Sequence, residues 1–367
     1  MKIALFGGSF NPIHSGHIKI AELAIKELSL DKLIFIPTAT NPFKKKQKNV
    51  SAVDRINMIK LAIENKEKMT VSDFETKRGG ISYTFETIRY FKKKYPNEEL
   101  FFIMGSDLLG KLHKWEFIEE IASSVQLVVF KRTKKIAKEN IKKYSIKVLN
   151  NPLFFESSTA IRNGALEQTP KKVNEYIGKN YLYAFELVHM ILKKDPKRAK
   201  HCVAAAEFAV KLAKVLKYDA KVAYHAGLFH DIAKRFNQEY SYQLIKKYTK
   251  NYNQNNYPAH VLHQICGALW IEKIYKNNNQ DLIRAIKVHT TLDLELTLLD
   301  KIIFVADKIC DGRAFEGVQK LRKLALENFD LAFAKIVKLN YEFNIKKGIK
   351  LSSEAENIYQ KWMLKNE

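Results

Sequence analysis

The first seventeen residues constrain the fold more than any other stretch. Lys2 to Phe6 is a short apolar run of the kind that forms a buried parallel strand. It breaks at Gly7-Gly8, where the backbone turns sharply and an anion can approach closely. From Gly16 the apolar positions Ile18, Ile20, Ala21, Leu23, Ala24 and Leu28 recur at helical spacing. A helix start aimed out of a strand end offers free N–H groups and the positive end of a dipole, and both favour an anion. His14 and His17 stand at i and i+3 around that start, spaced to donate hydrogen bonds to phosphate oxygens as charge builds.

A second segment far along the chain, ESSTAIR at 156–162, adds three hydroxyls and a guanidinium. Together the two segments read as a site for a nucleoside triphosphate attacked at its α-phosphate. The spacing in GGSFNPIHSGH (residues 7–17) fits neither a GxGxxG dinucleotide turn nor a GxxxxGK[ST] loop. Dinucleotide dehydrogenases and ordinary ATPases lose ground accordingly.

Further motifs follow in order: Asn41-Pro42-Phe43-Lys44 after an expected strand at Lys32–Pro37, then Ile81-Ser82-Tyr83-Thr84 before a helix. Gly105-Ser106-Asp107 ends an expected strand at Leu100–Met104, and His113-Lys114-Trp115 comes next. GGSFNPIHSGH resembles the HxGH signature of the nucleotidyltransferase superfamily, and with these motifs residues 1–183 are similar to bacterial nicotinate-nucleotide adenylyltransferases. The resemblance implies joining of ATP and nicotinate mononucleotide to give deamido-NAD and pyrophosphate, with Mg²⁺ on the leaving group. It implies that His14, His17 and Lys44 hold the triphosphate beside the ATP-binding turn Gly8, Ser9 and Phe10. Ser157, Ser158, Thr159 and Arg162 would close over the phosphates, Asp107 would contact the ribose, and Thr84 and Trp115 would frame the pyridine ring. A phosphate monoester is already ionised, so the in-line displacement needs positioning and charge stabilisation, not a strong base. Relatives carry His where this chain has Phe43. Trp115 also reads as a plain helix-packing aromatic, and Lys45, Lys46 and Lys48 as a solvated loop run. Nicotinamide mononucleotide and phosphopantetheine stay open as rival acceptors.

After Tyr183 the strand-like runs stop and helical patterns take over, opened by Asp195-Pro196, a cap followed by an N1 proline. The switch sets an expected boundary near 184, dividing the chain into 1–183 and 184–367. With no Pro/Gly/Ser-rich linker, the halves are expected to pack together or share a helix. Within the helical half stand His201, then Leu228-Phe229-His230-Asp231-Ile232-Ala233-Lys234, then His263, His289 and Asp307. An adjacent His230-Asp231 pair inside an apolar helix is costly unless a divalent metal offsets the desolvation.

This H…HD…D order resembles the HD phosphohydrolase superfamily. LFHDIAK, LHQICGA, IKVHTT and LLDKIIFVADKICDGR follow as in the bacterial HD family that cleaves diadenosine tetraphosphate symmetrically to two ADP. The resemblance implies His201, His230, Asp231, His263, His289 and Asp307 as ligands of two ions, iron or manganese, with Asp231 essential to catalysis. A metal-activated water would attack a phosphorus held by Arg313, and Lys234, i+3 from Asp231, would face the same cavity. Relatives carry Glu-Pro where this chain has Cys310-Asp311. The alternatives are a regulatory nucleotide-binding HD module without turnover, or an HD domain acting on another nucleotide.

The expected fold is therefore α/β, a Rossmann-like parallel-sheet nucleotidyltransferase domain followed by an all-α HD domain. Length suits that division, since 367 residues give each half a core. No apolar run reaches the ~18 residues of a membrane span, and no leader is expected before the first strand. Cys202, Cys266 and Cys310 are few and unpaired by spacing, which points to the reducing cytoplasm. The net charge of +24 is lysine scattered over helix faces and loops, without interleaved stacking aromatics. Small polyanionic substrates are expected partners, with no specific nucleic acid and no membrane. An HxGH motif also occurs in aminoacyl-tRNA synthetases, but SSTAIR is no KMSKS-like lysine loop. Oligomeric state is left open.

Overall fold

A computed structural model describes residues 1–40, 49–134 and 136–363. Six parallel strands form one sheet: β1 (Lys2–Gly8), β2 (Lys32–Pro37), β3 (Met69–Val71), β4 (Glu99–Gly105), β5 (Gln126–Phe130) and β6 (Lys147–Val148). Their order is β3-β2-β1-β4-β5-β6. Phe6 lies opposite Phe35 of β2 on one side and Ile103 of β4 on the other. The chain therefore winds outward from β1 to β3 and returns to start again at β4, so the order reverses between β1 and β4. In open α/β sheets the crevice outside the carboxyl ends of the strands at such a reversal is where ligands bind.

The inner stretches of the central strands are apolar because both faces are covered. Ile3, Leu5, Ile34, Ile36, Phe102 and Leu127 pack on one face with Ile88, Phe91, Ile118 and Ile121. Ala4, Phe6, Leu33 and Phe35 are buried from the opposite side of the pleat. Burying each such side chain stabilises by roughly 1.5–3 kcal/mol before the entropy of ordering is subtracted. This core fixes the height of the strand ends on which the site is built.

The chain divides into compact units Met1–Tyr176 and Ile177–Glu367. The division falls after Tyr176, inside the helix Lys171–Lys179. Residues 178–182 are bound within the second unit. The Tyr275 hydroxyl donates to the Leu182 carbonyl at 2.8 Å, and the Asn277 amide donates to the Gly178 carbonyl at 2.8 Å. A side chain at Gly178 would run into the Tyr275 carbonyl.

Every regular element of the second unit among the described residues is helical. Asp195 caps the helix Pro196–Val215 by accepting from the Arg198 N–H at 3.0 Å, with Pro196 in the first turn. That helix crosses Ala220–Phe229 closely, since a Cβ at Gly227 would lie 2.7 Å from the Ala206 Cα. The crossing brings His201 of the first helix toward His230 at the end of the second. His230-Asp231 is not inside a helix as the sequence suggested. The helix ends at Phe229, His230 is its C-cap, and Asp231 opens the following turn. There the Gly227 carbonyl stays available to the His230 ring. No described helix is long and apolar enough to cross a membrane.

Candidate functional site

In the first unit a cavity of about 710 Å³ opens at the carboxyl ends of the strands. Its floor is the turn after β1. The Arg55 guanidinium, only 2% exposed, donates to the carbonyls of Ser9 at 2.9 Å and Thr38 at 2.7 Å, tying the ends of β1 and β2 together. The helix Ser15–Glu27 starts from this turn with His14 as its N-cap. His14 and His17 stack with ring centroids 3.6 Å apart. The His14 backbone N–H donates to Nδ1 of His17 at 3.3 Å, which places the His17 proton on Nε2, the donor that phosphate oxygens require. Burial pushes His14 down to about 4, with the Arg132 guanidinium adding to the effect. Burial, then His14 and Arg132, hold His17 well below the usual imidazole range. Both are neutral hydrogen-bonding groups at pH 7.

The distant SSTAIR segment is latched onto this turn. Ser158 Oγ donates to the Pro12 carbonyl at 2.8 Å, and an Arg162 guanidinium nitrogen donates to the Asn11 carbonyl at 2.5 Å. Ser157 caps its short helix by accepting from the Ala160 N–H at 3.0 Å. Part of the hydroxyl set thus holds the segment in place, while Ser157, Ser158, Thr159 and Arg162 all line the cavity.

Asp107 and Trp115 line it from the segment after β4, and Thr84 from the helix Thr84–Lys94. Trp115 packs its ring edge-on against Phe102 at 6.1 Å, while its buried Nε1–H makes no hydrogen bond among the described residues. The packing role and a free donor in the wall coexist. Gly8, Ser9, Phe10, His14 and His17 complete the expected residues found here; Lys44 lies outside the described residues. Arg132 is a residue the sequence reading missed. It follows β5 directly, stands 3.5 Å from Asp107, and lines the cavity. A cation just past a strand end of an open α/β sheet was the available signal.

In the second unit the six expected ligands converge. His201, His230 and Asp231 offer donor atoms within 4.8 Å of one another, and so do Asp231, His263 and His289, so Asp231 belongs to both groups. Nε2 of His263 and of His289 each lie 3.6 Å from Asp231 Oδ1, and Nε2 of His230 lies 3.5 Å from Asp231 Oδ2. These separations are too long for strong hydrogen bonds and suit ligands that share an ion. Asp307 Oδ1 stands 2.9 Å from His201 Nε2 and 3.6 Å from His230 Nε2.

His230 Nε2 and Asp231 Oδ1 are buried and make no hydrogen bond among the described residues. Atoms in that position cost several kcal/mol in a site without a partner, and a divalent cation fits them. Burial would raise the Asp231 carboxyl, but His230 and the other imidazoles hold it well below the usual carboxylate range. Burial lowers His201 and His289, and lowers His263 to about 3, keeping them neutral as ligands require. His230 alone goes the other way: burial lowers it, but Asp231 and Asp307 outweigh burial and lift it to about 10. Two carboxylates there demand a positive charge, which a proton or a metal ion can supply.

Four cations surround the centre. Arg198 lies 2.8 Å from Asp231, Lys308 2.7 Å and Arg313 2.9 Å from Asp307, and Lys234 3.7 Å from Asp231. Arg198 and Lys308 were not singled out in the sequence, because a lysine or arginine on a helix usually reads as solvated surface.

Comparisons with known proteins agree with this division. The Cytidylyltransferase-like family matches residues 5–164 and the HD domain family residues 198–312. A Mycoplasma genitalium protein named probable nicotinate-nucleotide adenylyltransferase/Ap4A hydrolase is 35% identical over 94% of this chain and 99% of its own length. A Clostridium tetani protein named probable nicotinate-nucleotide adenylyltransferase is 45% identical over 44% of this chain and 85% of its own length. Among solved structures, a predicted HD superfamily hydrolase involved in NAD metabolism from Clostridium acetobutylicum is 30% identical, covering 48% of this chain and 95% of its own, with a TM-score of 0.44. The chain belongs to the family of two-domain proteins, represented by the Mycoplasma relative, in which a cytidylyltransferase-like domain is followed by an HD domain.

Proposed function

We propose that the first unit transfers the adenylyl group of ATP to nicotinate mononucleotide, giving deamido-NAD and pyrophosphate. The observation that carries this reading is the cavity at the strand-order reversal, which two neutral stacked histidines, Arg162, Thr84 and Trp115 all line. A phosphate oxygen of the mononucleotide attacks the α-phosphorus, and the bond to the pyrophosphate oxygen breaks. The His17 Nε2–H and the Arg162 guanidinium stabilise the charge that gathers on the phosphate oxygens. Mg²⁺, when bound, neutralises the leaving pyrophosphate. Trp115 supplies a ring for stacking and an indole N–H for an acceptor on the ligand. The name of the Clostridium tetani relative supports the acid over the amide.

The second unit hydrolyses diadenosine tetraphosphate to two ADP, a reading supported by the ligand geometry and by the name of the Mycoplasma relative. Two divalent ions, iron or manganese, would be held by His201, His230, Asp231, His263, His289 and Asp307. When bound they supply Lewis acidity and lower the pKa of water. Arg313, Lys234, Arg198 and Lys308 would meet a polyphosphate chain. The three buried, unpaired cysteines support a reducing compartment, the cytoplasm.

The test is product analysis of the full chain. With ATP and Mg²⁺, dinucleotide and pyrophosphate are expected from nicotinate mononucleotide in preference to the amide; product from neither ends the pyridine assignment. With Mn²⁺ and diadenosine tetraphosphate, ADP is the expected product. ATP plus AMP would overturn symmetrical cleavage.

A further inference from the structure

Three imidazoles of the metal centre, His201, His230 and His289, are held from behind in two different ways. His230 and His289 are both helix C-caps, and each directs Nδ1 at the carbonyl three residues earlier, Gly227 and Ile286, at 2.7 Å. That contact keeps the proton on Nδ1 and leaves the Nε2 lone pair for a cation. His201 lies inside the helix Pro196–Val215, where the neighbouring carbonyls serve the helix itself. Its Nδ1 meets the Cys310 sulfur instead, at 3.5 Å.

Cys310 is fully buried and firmly seated. Its N–H donates to the Ala306 carbonyl at 3.0 Å, and its carbonyl accepts from Arg322 at 2.7 Å. A thiol sulfur is a weak acceptor, so it favours the Nδ1–H form of His201 far less than a carbonyl oxygen does. The other form, with Nε2–H donating to Asp307 Oδ1 at 2.9 Å, competes directly with ligation. The carboxylates facing Nε2 of His230 and His289 stand farther off, at 3.5–3.6 Å, and a carbonyl holds the Nδ1 proton of each ring.

We propose that Cys310 is a positioning residue that sets the affinity of the cation held at His201, and leaves the cation between His263 and His289 untouched. This rests on the metal-centre reading given above and adds to it separate control of the two positions. Replacing sulfur by a carboxylate strengthens the Nδ1–H form, and removing the side chain's acceptor weakens it. Partners of this kind change metal affinity by about 10–100-fold.

The experiment titrates the metal-free full chain with Mn²⁺, counting bound ions by the electron paramagnetic resonance of free Mn²⁺. Two binding steps are expected. Cys310→Asp tightens one of them by about 10-fold and Cys310→Ala weakens the same one. That step is the one His201→Ala abolishes, and the other stays within a factor of two in both Cys310 variants. Should the aspartate variant fail to fold, Cys310→Ser replaces it with the same expected direction. The proposal is overturned if both steps shift together, if neither shifts, or if aspartate and alanine move the step the same way. A chain that binds no Mn²⁺ at all would remove the metal centre itself, a failure distinct from two unmoved steps.

Discussion

The rings of His14 and His17 lie face to face, 29° from parallel, and the backbone N–H of one donates to the ring of the other. Two imidazoles in such contact resist protonation, because a charge on either is buried and borne next to its neighbour. The expected midpoint for His14 is about 4, against 6.5 in an unfolded chain. Below pH 6.5 the unfolded chain therefore binds protons that the folded chain refuses. Stability is full above that value and falls as pH drops from 6.5 toward 4. For His14 the loss is roughly 1–2 kcal/mol between pH 7 and pH 5, and His17 shifts in the same direction. Titration of the imidazole C–H resonances checks it, and midpoints near 6.5 for both rings would contradict the buried stack.

Trp115 combines packing with an unused donor, and the two roles separate by substitution. Trp115→Phe keeps a ring beside Phe102 but loses the Nε1–H, so KM for the mononucleotide is expected to rise by about 10-fold, near 1.4 kcal/mol, with the melting temperature little changed. Trp115→Ala loses both and lowers stability as well. An unchanged KM in the phenylalanine variant would reduce Trp115 to a packing residue.

At Gly227 the neighbour a side chain would meet is backbone, so it cannot swing aside. Gly227→Ala must push the two helices apart at the place where His201 and His230 approach. Destabilisation of about 1–3 kcal/mol is expected, accompanied by weaker Mn²⁺ binding. Calorimetric melts with and without Mn²⁺ measure both. A variant that melts lower but binds Mn²⁺ normally would separate the crossing from the centre.

Asp231 belongs to both ligand groups, so no other single ligand should matter as much. Asp231→Ala is expected to abolish diadenosine tetraphosphate hydrolysis and remove both Mn²⁺ steps. Adenylyl transfer by the same preparation should stay within twofold. Parallel loss of the transfer activity would argue against two separate enzymes on one chain.

Much of this was legible because the relevant rules are local. The apolar run, the glycine pair and the helical period place β1, the turn and His14 and His17 within the first 27 residues. The Asp195-Pro196 pair marks its helix start to the residue. What was not legible depends on contacts between distant segments. Arg132 reads as one lysine-rich loop residue among several until β5 places it opposite Asp107. His230-Asp231 looked intrahelical because Ile232 and Ala233 continue the apolar pattern, yet the helix stops where the Gly227 carbonyl turns to the His230 ring. Only the fold likewise reveals that Leu182 and Gly178 are hydrogen-bonded to Tyr275 and Asn277.

Arg55 carries a consequence for how the first cavity meets its ligand. Its side chain, inside the protein and bonded to two strand-end carbonyls, fixes the glycine turn through the interior and not through anything in the cavity. The N–H groups and imidazoles of that turn are thus aligned before a nucleotide arrives. The conformational entropy of shaping them was lost on folding and is not subtracted from the binding free energy. Affinity on that side of the cavity should accordingly be a property of a rigid rim, with a small entropic penalty and little dependence on the order in which the two substrates enter.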